Sequence, residues 1–301
     1  MKLGVMGLGK MGSQIVQRLL ADNHQVVVFD LHKDAVDLAE QYGATRAESV
    51  QELVTKLGNE VVIWLMLPAN VVDSELAKLN QYVPKGRIVI DGGNSDFRLT
   101  QKRARHCNEN HIHFMDVGTS GGVGGLEHGF SMMVGGDRGS YEKIEPIISS
   151  LSQKDGYHYF GRSGSGHFVK MVHNAIEYGM MQAYAEGYHM LKEGAQYPDI
   201  DLEAAAKVWQ HGSIIKSDLN ALIQTVLAHN PNLTGVEGYV AESGEARWAL
   251  EVAKKSKIDV PVLDQAMKVR LASQKGRTNF ATKLLAAMRN AFGGHIINKE
   301  R

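Results

Sequence analysis

Lys170, His173, Asn174, Glu177 and Tyr178 recur at helical spacing in the middle of the chain. The stretch His167–Leu191 has helical periodicity, and offsets of three, four, seven and eight residues from Lys170 put all five on one face about 140° wide. Such a face can act on a single ligand. An ordinary solvated helix face is filled with Lys, Glu and Gln, whereas this one joins an amine, a carboxyl, an imidazole, an amide and a phenol. A lone histidine is more often structural than catalytic, so His173 is read as a ligand-binding group rather than a proton carrier. The opposite face, Val172, Ala175, Ile176, Gly179 and Ala183, is small and apolar, suited to close packing.

A second group of residues points to a dinucleotide. Gly7-Leu8-Gly9-Lys10-Met11-Gly12 follows an apolar strand and opens a helix, the context in which a G-x-G-x-x-G turn brings its backbone against a pyrophosphate at a helix N-terminus. The next strand ends Val26-Val27-Val28-Phe29-Asp30, which sets a carboxylate 18 residues beyond Gly12. A carboxylate there accepts hydrogen bonds from the adenosine ribose and repels a 2′-phosphate, so the expected cofactor is NAD. His32 and Lys33 soften that repulsion and leave NADP as the weaker alternative. Two further loops, Asp91-Gly92-Gly93-Asn94-Ser95 and Gly118 to Gly125, follow strands, where ligands bind in doubly wound sheets. The second is glycine-rich enough to expose backbone N–H groups to a carboxylate or phosphate, with Ser120 adding a hydroxyl.

The elements that must position these groups alternate along the first half. Strands are expected at Lys2–Met6, Gln25–Phe29, Val61–Leu67, Arg87–Ile90 and His113–Val117, with Ser131–Val134 as a further strand. Helices are expected at Met11–Ala21, Ala35–Gln41 and Leu99–Asn110, and a helix Tyr141–Leu151 closes this half. That order predicts an α/β, Rossmann-type doubly wound parallel sheet over residues 1–163. From 164 to 301 the periodicity is helical, broken mainly at Gly194–Pro198, Asn230–Gly235 and Val260-Pro261, which predicts an all-helical domain.

Composition excludes several classes. Lys plus Arg and Asp plus Glu stand at 33 each, giving no electrostatic case for nucleic acid or an anionic membrane. The strongest apolar stretch, Val61–Leu67, is far short of the roughly 20 residues that span a bilayer. One cysteine, Cys107, agrees with a reducing compartment, and cytoplasm is the expected location. No metal is called for.

The glycine loop, Asp91-Gly92-Gly93-Asn94-Ser95, Ser120-Gly121-Gly122 and above all Gly166-His167-Phe168-Val169-Lys170-Met171-Val172-His173-Asn174-Ala175-Ile176-Glu177-Tyr178-Gly179 together resemble the decarboxylating 6-phosphogluconate dehydrogenases. The likeness runs from Met1 to Arg289-Asn290-Ala291-Phe292-Gly293-Gly294-His295 and is to the short bacterial form, associated with NAD. It implies oxidative decarboxylation of a phosphorylated sugar acid, with Lys170 as base and Glu177 as final acid. By similarity the substrate contacts are Asn94, Ser120, Gly121, Gly122, His173, Asn174 and Tyr178, with Arg289 and His295 supplied by the second subunit of a homodimer. Asn94 also borders the cofactor. The longer members' phosphate cations have no clear counterpart, which leaves Arg247, Arg270, Lys275 and Arg277 as candidates. The rival reading is a β-hydroxyacid dehydrogenase acting on an unphosphorylated substrate such as 3-hydroxyisobutyrate.

Overall fold

Strand residues in the first half are apolar in both alternating sets, so a sheet built from them has to be covered by helices on both faces. The computed structural model, which describes residues 1–59, 62–194, 196–197 and 199–294, has that form. In chain order the elements are β1 (Lys2–Met6), α1 (Lys10–Ala21), β2 (Gln25–Phe29), α2 (Lys33–Gln41), β3 (Thr45–Arg46), α3 (Val50–Leu57), β4 (Val62–Leu65) and α4 (Val72–Leu79). There follow β5 (Ile88–Asp91), α5 (Phe97–Glu109), β6 (His113–Ser120), α6 (Gly125–His128), β7 (Phe130–Gly135), α7 (Arg138–Leu151) and β8 (Ser152–Gly161). The sheet order β3-β2-β1-β4-β5-β6-β7-β8 reverses direction at β1, the switch point of a doubly wound fold. Period-two alternation splits the strand residues between two cores. Val5, Val28, Trp64 and Ile90 pack with Ile15, Val16 and Leu19 of α1, while Val27, Ile63, Leu65 and Val89 pack with Leu53 of α3, Leu76 of α4 and Cys107 of α5.

The structure departs from the sequence expectation in four places. β7 runs antiparallel to β6, because residues 121–129 are too few for the crossover that a parallel neighbour requires. That pairing, Gly118 with Met133 and Ser120 with Ser131, extends β6 through Ser120, so Gly118 and Thr119 are strand residues rather than loop. The true turn is a 3-10 segment, Gly122–Gly124, leading into α6. α7 does not close the sheet: β8 follows it, parallel to β7, and turns Tyr157 and Tyr159 toward the core. β3, α3 and α4 were absent from the expected order altogether.

By its internal contacts the chain divides into Met1–Met171 and Val172–Arg301, the division falling inside α8 (Ser165–Glu193). The second unit is helical, with α9 (Leu202–Gln210), α10 (Asp218–His229), α11 (Glu245–Lys255), α12 (Pro261–Ser273) and α13 (Phe280–Gly293). Met181, Ala185 and Tyr188 of α8 form one core with Ile223, Leu227, Leu284 and Met288. Ala175 and Tyr178 form a smaller one with Ala246, Ala266 and Met267. Among the described residues no helix is long and apolar enough to cross a membrane.

Candidate active site

The glycine loop leaves β1 at Met6 and enters α1 with Gly9 at the N-cap, which offers no side chain to the first-turn N–H groups. Those donors are the anion-binding feature of such a loop. Gly7 has φ +93°, and a Cβ on Gly12 would lie 2.0 Å from Gly7 O, so neither position accepts a side chain. Asp30 stands just past β2. Its Oδ2 accepts from Leu8 N at 2.6 Å and its Oδ1 from His32 N at 2.8 Å, which ties the carboxylate to the loop. The cavity between them, about 670 Å³, is lined by Gly7, Leu8, Gly9, Lys10, Met11 and Gly12, by Asp30 to His32, and by Met66 to Pro68. A dinucleotide fits the chemistry of this cleft: uncapped N–H groups at one wall and a ribose acceptor at the other.

The loop after β5 is held from beneath. Asp91 is wholly buried and accepts from Gly93 N at 3.2 Å, Ser95 Oγ at 2.8 Å and Arg103 Nη1 at 3.3 Å, leaving Asn94 exposed at the tip. Asn94 is not among the residues that line the dinucleotide cavity.

Lys170 lies in α8 and is 6% exposed. β6 fixes its place in two ways. A Cβ on Gly118 would come within 2.3 Å of Lys170 Cβ, so glycine there is what lets the lysine stem cross the strand. Two residues earlier, Asp116 Oδ1 accepts from Gly164 N at 2.7 Å and Oδ2 from His167 N at 2.9 Å, so a strand carboxylate caps the start of α8. Burial pushes the Asp116 carboxyl up from its ordinary value, against the pull of His167 and of those two N–H groups. His167 is itself buried and shares a 2.7 Å hydrogen bond with Thr100.

Farther along the same helix, His173 Nδ1 is 2.9 Å from Asn174 Oδ1 and 3.9 Å from Glu177 Oε2. Asn174 and Tyr178 are buried, while His173 and Glu177 are partly open. The Tyr178 hydroxyl is 3.4 Å from Ser243 Oγ, and the Arg270 guanidinium stacks 3.4 Å above the Tyr178 ring. Arg270 is 1% exposed. Among the described residues no carboxylate pairs with it, and it donates to Ala241 O and Met181 Sδ. Burial pushes its pKa down to about 10, with Tyr178 raising it and Arg289 lowering it further, so it stays cationic at neutral pH. Arg289, on α13, is 7% exposed within its own chain and near enough for its charge to be felt at Arg270. The other candidate cations differ: Arg247 is exposed and ion-paired with Glu242, and Lys275 and Arg277 lie exposed beyond α12. Ser120 ends β6 and Gly121 and Gly122 follow it, whereas His295 lies outside the described residues.

Asp116 and Arg103 were not foreseen. A carboxylate inside the apolar run His113–Val117 was a readable signal for the first. Arg103 sits in Gln101-Lys102-Arg103-Ala104-Arg105, where nothing local separates it from its basic neighbours.

Comparison with known proteins gives the family. Residues 2–161 match the family described as the NAD binding domain of 6-phosphogluconate dehydrogenase, and residues 166–278 and 196–300 match its C-terminal domain. A Haloferax volcanii protein named as an NAD(+)-dependent, decarboxylating 6-phosphogluconate dehydrogenase is 40% identical over 100% of this chain and 99% of its own. The Plasmodium falciparum 6-phosphogluconate dehydrogenase structure superposes with a TM-score of 0.83 at 27% identity, covering 91% of this chain, which spans 62% of that longer protein. A Mycobacterium tuberculosis 3-hydroxyisobutyrate dehydrogenase shares the fold, with a TM-score of 0.71 at 19% identity over 94% of this chain and 97% of its own. The two family matches and the full-length relative together establish that the chain belongs to the 6-phosphogluconate dehydrogenase family.

Proposed function

We propose that the protein oxidises and decarboxylates 6-phosphogluconate to ribulose 5-phosphate and carbon dioxide, with NAD as the preferred oxidant. The observation that carries this reading is the helix face itself. A buried lysine, a partly open glutamate two turns on, and the amide, imidazole and phenol between and beside them lie on one side of α8. Bound NAD supplies the hydride acceptor, held by Gly7 to Gly12 and Asp30. Neutral Lys170 takes the proton of the C3 hydroxyl as that carbon is oxidised. As an ammonium it then polarises the new carbonyl while carbon dioxide leaves, and Glu177 protonates C1 of the resulting enediol. Asn94, Ser120, Gly121, Gly122, His173, Asn174 and Tyr178 orient the sugar acid.

Arg270 is the phosphate-binding cation on this reading; Arg289, which the resemblance assigns to the partner's pocket, is buried in its own chain, where its charge is felt at Arg270. A buried guanidinium with no ion-paired carboxylate among the described residues is costly in an apolar interior, and a dianion relieves that cost. An unphosphorylated hydroxy acid such as 3-hydroxyisobutyrate brings no second anionic group to do so. The working unit is a homodimer. Val172, Ile176 and Met180 recur every fourth residue on α8, away from the polar face, at 37%, 50% and 43% exposure, an apolar stripe of the kind a partner covers. His295 is the residue assigned to the partner's pocket.

A spectrophotometric assay of 6-phosphogluconate, gluconate and 3-hydroxyisobutyrate against NAD and NADP tests the reading. Reduction of NAD with 6-phosphogluconate alone is the expected result. Faster turnover of either unphosphorylated acid overturns it.

A further inference from the structure

Arg103 projects from α5 and is 4% exposed, yet every one of its five N–H donors is engaged. Nε donates to Asp73 Oδ1 at 2.7 Å, and Nη2 to Asp73 Oδ2 at 3.2 Å and Ala69 O at 2.9 Å. Nη1 donates to Ser95 Oγ at 2.9 Å and Asp91 Oδ2 at 3.3 Å. These partners belong to two different strand-end segments. Ala69 and Asp73 lie between β4 and the first turn of α4, in the segment whose Met66, Leu67, Pro68 and Val71 wall the dinucleotide cleft. Asp91 and Ser95 bracket Asn94 in the loop after β5. The two segments are also in direct contact. A Cβ on Gly92 would fall 2.1 Å from Trp64 Nε1, and one on Gly93 would fall 2.8 Å from Leu67 O. Glycine at these positions serves close approach, and the guanidinium then locks the approach from below.

We propose that Arg103 is a positioning residue for the reaction: it fixes the cleft wall and the Asn94 loop at one separation, so that cofactor and substrate are held in register. The inference rests on the role given to Asn94 under the proposed function. Lysine cannot replace this arginine, because three donors on a single nitrogen do not span both segments. Loosening the tie lets the two loops move apart, and small misplacements of reacting groups cost turnover heavily.

The test is a double-mutant cycle on the full-length enzyme with Arg103→Lys, Asn94→Ala and the pair. It reads kcat, both KM values, the calorimetric Kd for NAD and Tm. Arg103→Lys is expected to lower kcat about tenfold and raise the Kd for NAD about threefold, and its effect on kcat should shrink below about twofold when Asn94 is already alanine. An arginine that merely stabilises the fold lowers Tm in both backgrounds and gives multiplicative losses in kcat. Multiplicative losses with an impaired Asn94→Ala enzyme therefore overturn the inference while the functional reading stands. An unimpaired Asn94→Ala enzyme removes Asn94 from the site and overturns the inference with it. Should Arg103→Lys not fold, Asp73→Asn replaces it in the same cycle. The Asp73 side chain is 65% exposed, and its loss weakens only the cleft-wall side of the tie, where Ala69 O still accepts from Arg103 Nη2. A weaker Kd for NAD and the same non-additivity with Asn94→Ala support the inference, and an unchanged Kd overturns it.

Discussion

Lys170 and Glu177 lie two turns apart on one helix, and the steps assigned to them are separated by loss of carbon dioxide, so their removal should fail in different ways. Lys170→Met should abolish reduction of NAD while the nucleotide still binds, as calorimetry would register. Glu177→Gln should slow entry of solvent tritium at C1 of ribulose 5-phosphate; undiminished exchange would pass the acid role to His173 or Tyr178. The role proposed for Asp30 concerns a separate property. Because its carboxylate is tied to Leu8 N and lines the cleft, Asp30→Ser should act mainly through the KM for NADP and narrow the preference for NAD, if Asp30 holds the role proposed for it. A wild-type enzyme more efficient with NADP would contradict this. Cys107 has no part in the chemistry: it is wholly buried, and burial pushes its thiol up to about 12, so it carries almost no thiolate at neutral pH.

At the scale of elements, caps decide where helices begin. α7 starts at Asp137, whose side chain accepts from Ser140 N at 2.8 Å and from Ser140 Oγ at 2.9 Å, and these bonds hold its carboxyl below the ordinary range. A depressed folded-state value means that the contribution is present above the unfolded pKa near 3.9 and is lost as pH falls through the lower folded value. Asp137→Ala should therefore cost about 0.5–2 kcal/mol near neutrality. The gap between the two proteins should close as denaturation is followed into strong acid, and a gap constant down to pH 2 would refute the cap. α3 shows how much capping was readable in advance. Ser49-Val50-Gln51-Glu52 has the spacing of a capping box, and Ser49 Oγ does accept from Glu52 N at 3.1 Å. The short strand β3 that precedes α3 has only two residues, too few for any periodicity to appear.

At the scale of the molecule, the apolar stripe on α8 and the tail at His295 make a joint prediction of a dimer with shared pockets. Ile176→Glu should shift the protein toward monomer in sedimentation and lower its activity together. Lys170→Ala and His295→Ala chains, each inactive alone, should recover about a quarter of wild-type activity when co-expressed, because a mixed two-fold dimer has one pocket with both lesions and one with none. If the tail served its own chain's pocket, every pocket would carry a lesion and nothing would be recovered.

The sequence by itself determined the features written in short covalent spacing. The glycine loop, Asp30 after the second strand and the face from Lys170 to Tyr178 each lie within one helix or one strand-turn-helix unit, where the backbone's own periodicity sets direction. The central strands were legible for the same reason, since both their faces are apolar. Tertiary structure decided whatever depends on a neighbour distant in the chain. Gly118 faces Lys170, Asp116 caps α8, Arg103 joins Asp73 to Asp91, and Arg270 stacks on Tyr178. Among Arg247, Arg270, Lys275 and Arg277 no local pattern marks the buried one, because burial is a property of the packing around a residue and not of the residues beside it in sequence.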